Sequence, residues 1–192
     1  MKEKKNMKIV RKTLSLVLAS VMVLSLAGCK KKKGGLKEYT QDKLMEVLEE
    51  KLGIDEEDIY LGRNDRKQNG YPDADTLDVS YEGVHISASF CDDPQEGKDV
   101  FDKSYQQFEK DLQSGMLDEA SKSYENKDDS GYYVVKGTDI GSGVFGDSHR
   151  SGDVYGAYYC SGSMSLNILN LKPEDADKVE KVLKALDLPC AE

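Results

Sequence analysis

From Thr40 the apolar positions Leu44, Val47, Leu48 and Leu52 recur every three or four residues, with Thr40 placed to cap a helix and Gly53 placed to stop it. Ile54 to Asp75 then loses any period. Acids mix there with Asn69-Gly70 and Tyr71-Pro72, and the stretch reads as a loop whose only holds on a core are Ile54, Ile59, Tyr60 and Leu61. Residues 76–91 switch to a period of two. Leu77, Val79 and Tyr81 alternate with polar neighbours, as do Val84, Ile86, Ala88 and Phe90. A two-residue turn at Glu82-Gly83 pairs Tyr81 with Val84, Val79 with Ile86 and Leu77 with Ala88, which sets every apolar side chain on one face.

A second helix follows Asp92-Asp93-Pro94, carries Phe101, Tyr105, Phe108 and Leu112 on one stripe, and ends near Ser114-Gly115. Met116 to Ser130 reads as a short helical piece and a charged loop. Tyr132 to Lys136 reads as a strand, and 153–171 reads as a second hairpin with its turn at Ser161-Gly162, pairing Cys160 with Ser163 and Tyr159 with Met164. Pro173 suits the first position of a third helix, whose inward stripe is Ala176, Val179, Val182, Leu183 and Leu186. The predicted class is α+β: an antiparallel sheet of about five strands (two hairpins plus one strand) with about three helices packed on one face. Hairpin-then-helix occurs twice, at 76–113 and 153–187, a candidate pseudo-repeat within a single domain spanning 40–192.

Upstream of this body the hydrophobic pattern is of another kind. Lys2, Lys4, Lys5, Lys8, Arg11 and Lys12 precede an apolar run from Leu14 to Ala27 that stops at Gly28-Cys29. A basic head, an apolar core of about 7–15 residues and small residues at the exit make a secretory signal peptide, and the run falls short of the roughly 20 apolar residues a membrane-spanning helix needs. The segment from Met7 satisfies the pattern by itself, so Met1 and Met7 are both candidate starts.

Leu26-Ala27-Gly28-Cys29 resembles the lipobox of bacterial membrane lipoproteins. The resemblance covers the export segment and leaves the globular domain without a family. It implies removal of residues 1–28 and a diacylglyceryl thioether on Cys29, with membrane lipid as the partner and an extracytoplasmic, lipid-anchored location; two acyl chains anchor stably where one is marginal. Residues 29–39 form a Lys- and Gly-rich tether. Lys30, Lys31, Lys32 and Lys33 suit membrane contact, at about 1 kcal/mol per lysine near an anionic leaflet.

Charge sharpens the division. The whole chain has 27 Lys+Arg and 36 Asp+Glu, but from Gly34 onward 17 bases face 35 acids. A body of that sign repels phosphate backbones, so nucleic acid is excluded as a partner.

Candidate chemistry is sparse. Gly141, Gly143 and Gly146 spell G-x-G-x-x-G, yet DSHRSGD follows where the dinucleotide fingerprint requires a helix. His85 and His149 stand apart from each other and from ligand spacing to any Cys, while Asp73, Asp75 and Asp78 lack the ordered positions of a calcium loop. No metal or other cofactor is expected. Asp78, Ser80, His85 and Ser87 share a hairpin face and have the residue types of a triad, but a flat sheet supplies neither nucleophile turn nor oxyanion hole. Cys91 and Cys160 both fall on the polar hairpin faces. They form a candidate disulfide, with Cys190 an alternative partner for either and unpaired thiols the other reading. Ser80, His85, Ser87, Ser89, Tyr158, Ser165 and Asn167 would lie together on the same face, a candidate surface for sugars, peptides or a partner strand. The expected function is therefore non-enzymatic binding of a ligand or protein at the envelope. An envelope-associated hydrolase and an accessory subunit of a surface complex are the alternatives.

Overall fold

The computed structural model describes residues 36–65, 72–115, 117–140 and 151–192. Helix α1 (Gln41–Leu52) forms as its period predicts: the Thr40 hydroxyl accepts from the Lys43 N–H, Gly53 closes the helix at φ 68°, and Leu44, Val47, Leu48 and Leu52 are buried. Strands β1 (Tyr60–Asn64), β2 (Ala74–Tyr81) and β3 (Val84–Cys91) follow, then α2 (Pro94–Ser114), β4 (Leu117–Asn126), β5 (Ser130–Ile140), β6 (Ser151–Ser161), β7 (Met164–Asn170) and α3 (Ala176–Ala185). All seven strands form one antiparallel sheet in the order β1-β2-β3-β7-β6-β5-β4. The α+β class stands, and the strand count rises from about five to seven.

Both added strands are edges, which explains why the alternation did not reveal them. β1 lies within the stretch that reads as a loop; Tyr60 is 70% and Leu61 45% exposed, so neither residue holds a core and no apolar period marks the strand. β4 replaces the expected helical piece and charged loop, and its register shifts between Glu119 and Ser121 where a bulge interrupts the ladder. Its sequence LDEASKSYEN is charged because an edge strand meets water.

The first hairpin has the expected register, with Glu82 (φ 49°) and Gly83 (φ 87°) as its two turn residues. The second turns one residue later than expected, at Gly162-Ser163, pairing Ser161 with Met164 and Cys160 with Ser165. A two-residue turn that has Gly first and an ordinary residue second is of type II′. Gly162 (φ 56°) fits it, whereas a turn at Ser161-Gly162 would force Ser161 into the left-handed region.

The helices pack on both faces of the sheet, not on one. Along β6, Cys160 belongs to the cluster formed with Phe101, Tyr105 and Phe108 of α2. Its neighbour Tyr159 points the other way, where its hydroxyl donates to the Pro189 carbonyl beyond α3. On that second face, the Tyr39 hydroxyl ahead of α1 donates to the Leu186 carbonyl and Lys136 pairs with Asp177 of α3 at 2.6 Å. The helix that follows the first hairpin therefore lies on one face of the sheet and the helix that follows the second on the other, while the two hairpins adjoin through β3 and β7.

A methyl group added at Gly83 would collide with the Asp175 carboxylate, while at Gly53 it would meet open space. Gly53→Ala should lose only the left-handed backbone cost of about 1–2 kcal/mol. Gly83→Ala should lose about 1–3 kcal/mol more through overpacking. Urea unfolding of the two variants with unchanged m-value checks the difference, and equal losses would contradict the collision.

Candidate functional site

One row of side chains crosses the whole sheet on the face that carries α2. Register places Tyr124, Tyr133, Tyr158, Asn167, Ser87, Asp78 and Tyr60 side by side from β4 to β1. The row divides at its centre. On the β4–β6 side it is aromatic and lies under α2: Phe108 stacks on Tyr133 at 4.5 Å between ring centroids, and Phe101 meets the Tyr158 ring edge-on at 5.4 Å. On the β3–β1 side it runs through the polar Ser87 and Asp78 to the exposed ring of Tyr60, and no helix lies over these three among the described residues.

The seven residues of the candidate binding surface all fall on this face, as the alternation predicted, but α2 divides them. Tyr158 is packed between Phe101 and Tyr133, with its hydroxyl bonded to the Ser165 side chain, and burial pushes its phenol up to about 12. Ser165 and Asn167 are half-buried beside it. Ser80 is exposed, and His85, Ser87 and Ser89 are half-buried like Ser165 and Asn167, on the β2–β3 side of the row. The expectation that helices would leave this face free fails for Tyr158 because the partners of that strand, Tyr133 and Val135, are apolar and bury against α2. At the boundary, the Asn167 Oδ1 is shut away from solvent without a hydrogen-bond partner among the described residues. An unmet acceptor in that position costs on the order of 1–3 kcal/mol.

The triad-like residue types do not assemble into a catalytic array. His85 Nε2 stands 3.6 Å from Asp78 Oδ1, beyond hydrogen-bond length, and both side chains are more than a third exposed. Ser80 lies across from His85 on the adjacent strand with no bond joining them among the described residues. The acids named as calcium candidates are also dispersed: Asp75 faces the Arg63 guanidinium at 3.0 Å, whereas Asp78 is on the opposite face of the same strand. Among the described residues no group of three or more His, Cys, Asp or Glu side chains is arranged to hold a metal.

The Cys91–Cys160 disulfide does not form; both thiols are free and buried. They do share a face, but β7 lies between their strands. Two strand spacings of about 4.8 Å separate them by roughly 10 Å, and a disulfide requires Cα atoms within about 7 Å. Burial pushes the Cys160 thiol up to about 11 and raises Cys91 as well.

Lys98 was not singled out by the sequence, yet it is only 6% exposed. Its ammonium reaches Asp102 at 2.5 Å and Asn126 at 3.0 Å, tying α2 to β4. Its i,i+4 acid was legible, but its burial depends on the unforeseen strand β4. Cys29, Lys30, Lys31, Lys32, Lys33, the G-x-G-x-x-G stretch and His149 lie outside the described residues. No described helix is long and apolar enough to cross a membrane. The chain matches no protein-family model, no curated protein and no solved structure.

Two outcomes follow from the buried face. A thiol with its ionisation near 11 is about a thousandth thiolate at pH 8, so Cys160 should resist an aromatic disulfide reagent in the folded protein and react on denaturation. Cys91 should behave alike, with Cys91→Ser and Cys160→Ser each removing one reactive thiol. Burial raises Tyr158 above the ordinary tyrosine value of 10.0, so the folded state favours its neutral form. That stabilisation is complete below pH 10 and is lost as pH rises toward about 12, on the order of 2–3 kcal/mol from this residue. Alkaline unfolding followed by tyrosinate absorbance should therefore begin above pH 10, and Tyr158→Phe should shift its midpoint upward.

Proposed function

We propose that the protein is a membrane-anchored extracytoplasmic lipoprotein that binds a ligand or protein partner at the cell envelope through the open half of its sheet. The observation that carries the binding reading is the divided row. One sheet face is packed with aromatic rings under α2 at one end, and at the other it carries the exposed Ser80 beside His85, Ser87 and Ser89, which are half-buried. Hydroxyl and imidazole groups on a rigid, well-paired floor suit recognition of a polar ligand. Rigidity comes from the ladder itself, since β3 is paired on both sides.

The anchor reading rests on Leu26-Ala27-Gly28-Cys29 behind a basic and apolar leader. Lipid on Cys29 holds the domain at the surface, the four lysines bind anionic headgroups, and the acidic body stays in solution. Binding is favoured over catalysis because His85, Asp78 and Ser80 neither bond to one another nor enclose a reacting group.

Both parts are testable in the membrane fraction. Mass spectrometry should find the mature N-terminus at Cys29 with a diacylglyceryl thioether, and an unmodified thiol there would overturn the anchor. A photo-crosslinking residue at Ser87 should give a discrete adduct on intact cells, absent when it is placed at Lys110 on the exposed side of α2. The same adducts from both positions, or none from either, would contradict a site on the open half-face.

A further inference from the structure

The two edges of the sheet differ. β4 is blunted by its bulge, and its Lys122 N–H donates to the carbonyl of Glu192 at the end of the chain. β1 has neither protection among the described residues. Its outward groups follow from the register. A two-residue turn makes Tyr81–Val84 a hydrogen-bonded pair, so alternation sends the backbone groups of Asp78, Thr76 and Ala74 to β1. Tyr60, Gly62 and Asn64 are therefore bonded inward, and the N–H and C=O of Leu61 and Arg63 face out. Two of the largest exposed apolar side chains, Tyr60 and Leu61, project from this same strand to its two faces.

The surroundings of that edge are acidic. Asp55, Glu56, Glu57 and Asp58 are exposed immediately before β1. The one cation on the strand, Arg63, is taken up by Asp65, Asp75 and Asp92. A cleft of about 220 Å³ opens beside the start of β1, with Ile54 and Ile59 in it and Asp42, Glu46, Glu49 and Glu56 around it. One of these acids, Glu46, is paired with Lys43 at 2.7 Å, which leaves the rim strongly negative.

We propose that the β1 edge and this cleft form a docking surface for an extended basic peptide, which adds to the sheet as an eighth strand and lays a lysine or arginine into the cleft. Backbone bonds to Leu61 and Arg63 supply the strand pairing. Ile54 and Ile59 receive the aliphatic stem of the basic side chain while the carboxylates hold its head. The charge selects this occupant: an acidic strand is repelled, and so is a second copy of a body with 17 bases against 35 acids. The surface uses different residues from the polar half-face and requires no lipid anchor, so it stands or falls independently of the proposed function.

The test uses the full chain in neutral-detergent micelles with a ten-residue acetylated peptide alternating lysine and valine, and a matched glutamate–valine peptide. The basic peptide should bind, weaken with added salt, and slow amide exchange at Leu61 and Arg63 at least tenfold. Leu61→Pro removes an outward N–H that no strand uses, so it should keep the fold by circular dichroism and weaken binding at least tenfold. Glu46→Lys combined with Glu49→Lys, both on the surface of α1, should do the same and remains informative if the proline variant unfolds. The proposal is overturned if Leu61 and Arg63 gain no protection at saturating peptide, or if the acidic peptide binds equally well. Undiminished binding by a folded variant, or protection of these amides by self-association without peptide, would overturn it too.

Discussion

The side of the sheet on which α2 crosses sets nearly everything else. β3 lies near the centre and β4 at the far edge, so the chain must pass β7, β6 and β5 between them. Four strand spacings are roughly 19 Å, and a 21-residue helix is about 31 Å long, enough to cross them on a diagonal. Phe101 and Phe108 then bury against Tyr133 and Tyr158, and Lys98 fastens the helix to β4. Among the described residues no helix crosses the row on β2 and β1, so the path of α2 sets which half of that face carries the aromatic packing and which carries Ser80 and His85.

Much of this was legible from periodicity. The helical stripes of α1, α2 and α3 are the buried residues Leu44, Val47, Leu48 and Leu52, then Phe101, Tyr105 and Phe108, then Ala176, Val179, Val182 and Leu183. The Glu82-Gly83 turn fixed the first hairpin to the residue. The second was offset because turn chemistry, not alternation, decides between two placements that keep the same faces. Edge strands escaped detection because their apolar content is too thin to alternate: β1 exposes both Tyr60 and Leu61, and from Ser121 to Asn126 β4 has Tyr124 as its one large apolar side chain, set among Ser, Lys, Glu and Asn.

The candidate site was legible in part. Alternation correctly gathered Ser80, His85, Ser87, Ser89, Tyr158, Ser165 and Asn167 on one face, since a residue's face depends only on parity. It could not say what covers that face, because the destination of α2 is a question of topology. The mistaken Cys91–Cys160 bridge has the same origin. The two hairpins do lie side by side, but they meet through β3 and β7, which leaves a strand between the cysteines.

The β6–β7 turn has a mechanical consequence. There the Leu36 carbonyl accepts from the Ser161 hydroxyl, and Glu38 accepts from both the N–H and hydroxyl of Ser163 while its carboxylate sits over Gly162. Tension arriving along the chain from its N-terminal side is met at this clamp before it reaches α1. Because the turn joins two internal strands, this clamp couples the segment ahead of α1 to the middle of the sheet and not to one of its edges.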